Sequence, residues 1–151
     1  MRVLVRPLTD ADRAEIAGWR YGGELSIYDP GAGAAELRAP DHVALASMQD
    51  ELLGYGTLGA EAQVPGGLYP EDPGVLDLGL GMRPELVGCG LGSAALAAVM
   101  DHGASRLVKR FRVTVASANL RATALVRHAG FRLTHRFERA RDGRAFVQYE
   151  R

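Results

Sequence analysis

The chain contains almost no lysine. Of its 18 basic residues a single one is Lys, Lys109, and all the others are Arg. A phosphate-binding loop of the nucleoside-triphosphatase type needs Gly-Lys followed by Ser or Thr, because the Lys reaches the terminal phosphates. Here Gly92 directly precedes Ser93, and Lys109 lies far downstream. The shortage of lysine therefore argues against a nucleoside-triphosphatase.

Cysteine is equally scarce, and histidine is dispersed. One Cys, Cys89, cannot form an internal disulfide, which fits a reducing cytoplasm. A zinc site needs Cys and His at short, regular spacings. The His residues show no such spacing; they are His42, His102, His128 and His135. We expect a cytoplasmic protein with no metal.

Neither charge nor hydropathy indicates a nucleic-acid or membrane partner. The formal net charge is zero, so the chain has no general attraction to polyanions. No apolar run approaches the length that spans a bilayer, and Met1-Arg2-Val3-Leu4 leads into a predicted strand rather than a signal peptide. At 151 residues, with 47% apolar composition, the chain predicts one domain over residues 1–151.

Glycine is concentrated at one informative place. Residues 75–96 read VLDLGLGMRPELVGCGLGSAAL, an apolar strand, a Pro-bounded turn, and alternating glycines that run into an Ala-rich helix. Gly88, Gly90 and Gly92 let the backbone curl and present its N–H groups to a ligand. The N-terminus of the helix adds partial positive charge and unpaired amides. This segment predicts an anion-binding loop, most suited to a phosphate or pyrophosphate.

A dinucleotide-binding loop matches this segment poorly. That fingerprint reads GxGxxG near the start of a βαβ unit, with an acidic residue further on to hold a ribose. The loop here reads GxGxG and begins past the middle of the chain. The segment after its helix, residues 106–112, is basic and apolar, so the ribose-binding carboxylate is missing.

A second motif follows in the next strand and helix. Residues 112–116, RVTVA, alternate with β-branched side chains and predict a strand. Asn119 then suits the N-cap of a short helix, Gly130 its C′ position, and Phe131 the apolar contact beyond. The structural alternative is that Asn119 is only a helix cap.

The remaining elements alternate between strand and helix. A strand over 2–7 is followed by a helix that Thr9 to Asp12 caps and that runs to about Trp19 or Arg20. A short helix is predicted near 25–28, and residues 42–48 and 52–59 predict a hairpin. Residues 61–74 are predicted to form a long loop, and the helix after the glycines is predicted to extend to about Leu107. Residues 131–139 and 144–149 predict a hairpin with a type I′ turn at Asp142-Gly143.

Together these motifs resemble the GNAT superfamily of acyl-CoA-dependent N-acyltransferases. Pro84-Glu85, Gly90-Leu91-Gly92 and the strand–Asn–helix–Gly-Phe segment around Asn119 carry the resemblance. One departure is Val87, which stands where the family usually has Arg or Gln. The resemblance implies an α/β fold along nearly the whole chain. It has a single mixed sheet of about six to seven strands flanked by helices, with a splay between the two central parallel strands.

The resemblance also implies a site for acetyl-CoA as acyl donor. A backbone N–H near Gly81 or Met82 would polarise the thioester carbonyl. Asn119 would hydrogen-bond near the pantetheine. The other residues of the implied donor site form the loop and the start of its helix; they are Val87, Gly88, Cys89, Gly90, Leu91, Gly92 and Ser93. Gly79 and Gly81 interrupt a strand, which indicates a bulge or a close approach by another chain segment or a ligand.

Candidate acids and bases are few. Asp77 is the best candidate base, because a carboxylate in an apolar strand must be at an edge, paired or functional. The alternative is a structural carboxylate that is bonded to the neighbouring loop, residues 69–74. Val126 occupies the position at which many family members carry a tyrosine that protonates the leaving thiolate. Ser117 could assist through a bound water, and a solvated serine at the start of the helix is the alternative.

The acceptor is expected to contact the first helical region and the long loop. Aromatic residues cluster there, beside carboxylates that could receive a cationic amine or could simply be solvated. The candidate substrate-binding residues are Trp19, Tyr21, Tyr28 and Tyr69.

Three classes of function follow. The first is an N-acetyltransferase for a primary amine of a small molecule or a protein N-terminus, either as a monomer or as a homodimer. The second is an acetyl-CoA-binding sensor without catalysis, since Val87 and Val126 depart from the family pattern. The third modifies a macromolecule such as aminoacyl-tRNA; neutral net charge argues against it, although Arg106, Lys109, Arg110 and Arg112 lie close together in sequence.

Overall fold

Seven strands and three α-helices make up the fold. The structure, a computed structural model, describes residues 2–151. The strands are β1 (Leu4–Arg6), β2 (His42–Ala46), β3 (Leu52–Leu58), β4 (Val75–Met82), β5 (Arg110–Ala116), β6 (Arg132–Glu138) and β7 (Ala145–Glu150). The helices are α1 (Asp10–Ala17), α2 (Gly92–Ala104) and α3 (Leu120–His128), and short 3₁₀ turns join several elements.

The strands form one mixed sheet, as the family resemblance implied. Their order is β1-β2-β3-β4-β5-β7-β6. Strands β4 and β5 pair in parallel from Val75↔Arg110 to Leu78↔Val113, and β5, β6 and β7 pair antiparallel. The ladder between β4 and β5 ends at Leu78↔Val113, although both strands continue. The predicted splay between two parallel strands requires such an early end of pairing.

The chain divides into two compact units. The first contains the residues up to Thr57 together with Leu80–Val99, and the second contains Leu58–Gly79 and Met100–Arg151. In the first unit, an apolar cluster forms between α1 and β2–β3; its buried members are Ile16, Trp19, Ala34, Ala44 and Leu52. The expectation of one domain over residues 1–151 stays a prediction.

Helix α1 begins where its cap predicts. The Thr9 hydroxyl accepts from the Asp12 amide at 3.1 Å, and the Asp12 carboxylate accepts from the Thr9 amide at 2.8 Å, which completes a capping box. Arg6 from β1 then donates to the same carboxylate at 2.6 Å. The capping sequence thereby also ties the first strand to the first helix.

Helix α3, in the second unit, is fixed at both ends as predicted. The Asn119 side chain accepts from the Ala122 amide at 3.1 Å. At the other end, the Gly130 amide bonds the Arg127 carbonyl and the Phe131 amide bonds the Val126 carbonyl, which is a Schellman motif. Val126 and Phe131 are both buried and supply its apolar contact.

Two predicted details are wrong. The β6–β7 turn is not type I′, because that turn needs positive φ at both central residues, and Gly143 has it (φ 70°) while Asp142 does not. Instead, Arg139 and Arg144 close a longer loop, which an ion pair between Arg139 and Asp142 at 2.5 Å stabilises. Helix α2 ends at Ala104 rather than near Leu107, whose positive φ of 62° is incompatible with a helix.

No helix within residues 2–151 is long and apolar enough to cross a membrane.

The Schellman motif gives a direct test of the local backbone. Gly130 has a φ of 90°, and a β-carbon there would make only ordinary van der Waals contact, with Arg151 at 3.8 Å. We predict that Gly130→Ala lowers the free energy of unfolding by about 1 kcal/mol, because left-handed backbone disfavours a β-carbon. The matched control is Gly18→Ala, at a φ of −88°. This substitution should leave the free energy of unfolding unchanged or raise it by up to about 1 kcal/mol. Equal effects in urea denaturation would contradict this account.

Candidate functional site

The glycine loop joins β4 to α2 in the first unit. After a 3₁₀ turn over Pro84–Leu86, Gly88 and Gly90 both adopt a φ of 81°. Only glycine takes that conformation freely, so the alternating glycines are what allow the backbone of the loop to adopt it twice before the helix. The stretch from Gly88 to Gly90 is exposed, whereas Leu91 is buried and anchors the start of α2. The loop is therefore held at both ends and presents its middle to solvent.

Some loop amides are already used. The Val87 amide bonds the Pro84 carbonyl at 3.2 Å, and the Cys89 amide bonds the Leu86 carbonyl at 3.1 Å. The Cys89 thiol points back to the Glu85 carbonyl at 3.5 Å. The backbone amides best suited to bind an anion are therefore those of Gly88 and Gly90 and those of the first turn of α2, at Gly92 and Ser93. Helix geometry leaves the amides of that first turn without an intrahelical partner.

The end of β4 is packed closely by β3. A β-carbon on Gly81 would lie 2.3 Å from the Tyr55 ring, and one on Gly54 would lie 2.5 Å from the Gly81 carbonyl oxygen. Gly81 is thus glycine because the ring of Tyr55 fills the space a side chain would need. The close approach that the sequence predicted at Gly81 is made by the neighbouring strand.

Tyr21, which follows α1, also contacts the end of β4. Its hydroxyl donates to the Met82 carbonyl at 2.5 Å, and its amide donates to Asp29 at 2.8 Å. Burial raises the pKa of Tyr21, and the nearby Tyr55, Asp29 and Glu85 raise it further. The hydroxyl therefore stays protonated and keeps donating, which restrains the backbone at Met82.

The other aromatic candidates of the first unit have different surroundings. Trp19 is buried, and its ring stacks on Tyr55 with centroids 6.1 Å apart, so it supports the site from the core. Tyr28 ends the 3₁₀ segment Gly23–Tyr28 and is half-buried.

Arg83 was not among the residues that the sequence singled out. It follows Met82 directly, and its guanidinium donates to the Leu52 carbonyl and pairs with Glu15 of α1 at 3.0 Å. Its amide also bonds the Leu53 carbonyl at 2.9 Å. Arg83 therefore ties the end of β4 to both β3 and α1. No sequence signal marked it, because its partners are distant in the chain.

In the second unit, Asp77 lies in a buried ion pair. Its carboxylate accepts hydrogen bonds from the Arg112 guanidinium at 2.6 and 2.8 Å and from the Gln63 side-chain amide at 2.9 Å. Asp77 is 5% exposed and Arg112 is 4% exposed. The hydrogen bond to Asp77 raises the pKa of Arg112, although burial opposes it. The partners of the Asp77 carboxylate are thus Arg112 and Gln63 rather than the predicted loop at residues 69–74, and its role as a base stays a prediction.

Tyr69 belongs to the same polar network. Its hydroxyl is bonded to Thr114 at 2.8 Å and accepts from the Val64 amide at 2.9 Å, while the Arg112 guanidinium lies 4.9 Å from the ring centre. A cavity of about 400 Å³ borders the network; Gln63, Tyr69, Asp72, Asp77 and Arg112 are among its lining residues. The role of Tyr69 in binding an acceptor stays a prediction.

Asn119 and Ser117 lie at the C-terminal end of β5. The Asn119 side-chain oxygen is used by the helix cap, which leaves its amide NH₂ group as the part that could bind a ligand. Ser117 is half-buried, and its backbone amide bonds the Ala145 carbonyl at 2.9 Å. Val126 is buried at the end of α3, so that position offers neither an acid nor access. Residues 2–151 contain no cluster of His, Cys, Asp and Glu side chains that could hold a metal ion.

The contact between Tyr55 and Gly81 can be tested by adding one methyl group. We predict that Gly81→Ala lowers the free energy of unfolding by about 1–3 kcal/mol, because the added carbon overlaps the Tyr55 ring. The loss should shrink in a Tyr55→Leu background. Gly33→Ala, where a β-carbon meets open space, is the control and should change stability by less than about 0.5 kcal/mol. A loss that is the same in both backgrounds would contradict the contact.

The buried ion pair allows a second test. We predict that Asp77→Asn lowers the free energy of unfolding by roughly 3–5 kcal/mol, because it leaves the Arg112 charge buried without its main partner. Adding Arg112→Met should restore much of the loss. Asp72→Asn, which alters a solvent-exposed pair with Arg110, should cost less than about 1 kcal/mol. Wild-type stability of Asp77→Asn with abolished turnover would instead support a catalytic base.

Comparisons with known structures return the same fold. An acetyltransferase (GNAT family) from Bacillus anthracis aligns with a TM-score of 0.76 at 13% identity, covering 100% of this chain and 95% of that one. A chimera of the spermidine N-acetyltransferase SpeG from Vibrio cholerae and hSSAT aligns with a TM-score of 0.74 at 15% identity, covering 99% and 95%. An aminoglycoside acetyltransferase, AAC(6')-Ib, in complex with coenzyme A aligns with a TM-score of 0.69 at 20% identity, covering 99% and 94%.

At these identities the structural likeness establishes the fold alone. A comparison with curated protein sequences finds no match. The family model for the acetyltransferase (GNAT) domain, however, matches residues 2–132, which is most of the chain. With the glycine loop, the parallel β4–β5 pair and the capped α3 in place, the chain belongs to the GNAT acetyltransferase family.

Proposed function

We propose that this protein is an acetyl-CoA-dependent N-acetyltransferase that acts on a primary amine of a small molecule or a peptide. The observation that carries the proposal is the exposed loop at Gly88 to Gly90, which leads directly into the N-terminus of α2. The alternating left-handed glycines and the helix amides suit the pyrophosphate of coenzyme A, which brings two adjacent negative charges. We further propose a single domain that functions in the cytoplasm.

The reaction needs stabilisation of negative charge on the thioester oxygen. When the amine attacks, the carbonyl carbon becomes tetrahedral and its oxygen takes up negative charge. The backbone amides at Gly81 and Met82 are the proposed donors to that oxygen. Tyr55, Tyr21 and Arg83 restrain this short segment, so the donors would need little reorganisation during the reaction. The carbon–sulfur bond then breaks, the nitrogen loses its excess proton to solvent, and the thiolate takes up a proton from water, which yields the amide and coenzyme A.

The proposed acceptor is a cationic amine. Asp29 and Glu85 lie near Tyr21, close enough for both carboxylates to raise the pKa of its hydroxyl. Two carboxylates beside aromatic rings attract a protonated amine. Among the structural relatives, one is a spermidine acetyltransferase and another an aminoglycoside acetyltransferase, and both names denote amine-rich substrates. The roles of Trp19, Tyr28, Tyr69, Asp77, Ser117 and Asn119 in this reaction stay predictions.

One observation favours a second candidate, an acetyl-CoA-binding sensor. Val126 is buried, so α3 has no acid at the position where the family resemblance leads one to expect it. Such a sensor would bind acetyl-CoA saturably and transfer its acetyl group to no amine. We favour catalysis, because the restrained Gly81–Met82 segment offers backbone amides at the place where a reacting thioester would need them.

Thiol release from acetyl-CoA tests the proposed function. With spermidine and with ribostamycin as acceptors, we expect turnover above the acceptor-free rate. In Gly90→Ala, the KM for acetyl-CoA should rise about tenfold, because a β-carbon at a φ of 81° distorts the loop. Gly143→Ala is the matched control, since Gly143 also has positive φ and open space but lies in the β6–β7 hairpin.

The outcomes separate the two candidates. Saturable acetyl-CoA binding with no turnover on either amine would favour the sensor. An equal rise in KM in both variants would contradict the assignment of the loop.

A further inference from the structure

We propose that the ring of Tyr55 restricts the acyl donor to acetyl-CoA, so that thioesters with longer acyl chains are poor donors. This inference rests on the proposed acetyl transfer and deepens it, because it names the acyl group that the site accepts and the side chain that selects it. Tyr55 acts here by filling space and takes no part in the chemistry.

Of the two proposed donors to the thioester oxygen, the amide of Met82 faces away from β3. The next amide, that of Arg83, donates to the Leu53 carbonyl of β3 at 2.9 Å. Successive residues of a strand direct their backbone N–H and C=O groups to opposite edges, so those of Met82 point the other way. The Tyr21 hydroxyl donates to the Met82 carbonyl there, at 2.5 Å. The thioester oxygen therefore belongs on this edge of β4, at the Met82 amide.

The Tyr55 ring covers the residue before Met82. A β-carbon on Gly81 would lie 2.3 Å from one ring carbon and 2.4 Å from another, so the ring is packed against the Gly81 backbone. The ring is only half-buried, which leaves part of it exposed to a bound donor. In a thioester the acyl chain starts at the carbonyl carbon, one bond from the oxygen. An acyl chain whose oxygen meets the Met82 amide therefore starts next to the Tyr55 ring.

The core of the first unit holds this ring in place. The ring stacks on Trp19, which is buried, with the ring centroids 6.1 Å apart. It also packs against the apolar cluster between α1 and β2–β3. On the opposite face of β3, a β-carbon on Gly54 would lie 2.5 Å from the Gly81 carbonyl oxygen, so the two strands are already in close contact. Because close-packed groups resist displacement, a longer acyl chain has to compete with the ring for space.

The selectivity for acyl-chain length tests the proposal. Thiol release is measured from acetyl-, propionyl- and butyryl-CoA, with spermidine or ribostamycin as the acceptor. For the wild type, we expect kcat/KM to fall by about tenfold or more with each added methylene. In Tyr55→Val the ring is gone and the chain gains room, so the ratio of kcat/KM for acetyl-CoA to that for butyryl-CoA should fall by about tenfold or more.

Two control variants separate the ring from other effects of substitution. Tyr55→Phe keeps the ring and removes only the hydroxyl, so it should keep the wild-type ratio. Phe146→Val removes a buried ring from β7 in the second unit, and it should also keep the ratio even if it lowers stability. The ratio compares donors on one protein sample, so the fraction of folded protein does not change it. If Tyr55→Val does not fold, Tyr55→Leu replaces it, with a smaller fall expected.

Each outcome decides for or against the role of Tyr55. Equal use of acetyl-CoA and butyryl-CoA by the wild type would overturn it. An unchanged ratio in Tyr55→Val, or an equal fall of the ratio in Phe146→Val, would overturn it while leaving the proposed acetyl transfer intact. If the wild type releases thiol from none of the three donors with either amine, the proposed function fails, and the role of Tyr55 fails with it.

Discussion

The close packing of β3 against the end of β4 is the constraint on which the candidate site depends. Gly54 and Gly81 remove two β-carbons, and the ring of Tyr55 fills the space beside Gly81. The backbone of Gly81 and Met82 is then restrained by the Tyr55 ring, by the Tyr21 hydroxyl, and by the contacts of the next residue, Arg83. The glycine loop begins only a few residues later, so its starting point is fixed by the same packing.

In the second unit, a charged residue lies within an apolar strand. Asp77 lies between leucines in β4, where an unpaired carboxylate would be strongly destabilising. Two hydrogen bonds from Arg112 and one from Gln63 satisfy it. The Gln148 side chain in turn bonds both the amide and the carbonyl of Leu68, at 2.7 and 2.8 Å. The long loop before β4 is consequently fixed by polar contacts rather than by apolar packing.

Features with local causes could be predicted from the sequence. The capping box at Thr9, the Asn119 cap and the Gly130–Phe131 helix end each depend on residues within one or two turns, and all were confirmed. The order of the elements indicated a single α/β sheet, and the resemblance to the GNAT family implied that this sheet is mixed. The turn at Asp142 could not be predicted correctly, because an ion pair with Arg139 and a longer closing pair outweigh the dipeptide preference.

The contacts at the site depend on tertiary structure and were less predictable. The sequence marked Gly81 as a place of close approach, but it could not show that Tyr55 is what approaches. The pattern Gly54-Tyr55-Gly56 was the available signal, since it places one aromatic ring opposite two missing side chains. Arg83 gave no signal, because its partners Glu15 and Leu52 are far away in the chain.

Binding of the acyl donor is the central claim, and calorimetry of the purified protein with acetyl-CoA tests it most directly, with NADH as the comparison ligand. We predict saturable binding of acetyl-CoA and no binding of NADH, because residues 106–112, after the helix that follows the loop, contain no carboxylate to hold a nicotinamide dinucleotide's ribose. Absence of acetyl-CoA binding, or equal binding of both ligands, would contradict the assignment of the loop between β4 and α2 and the function built on it.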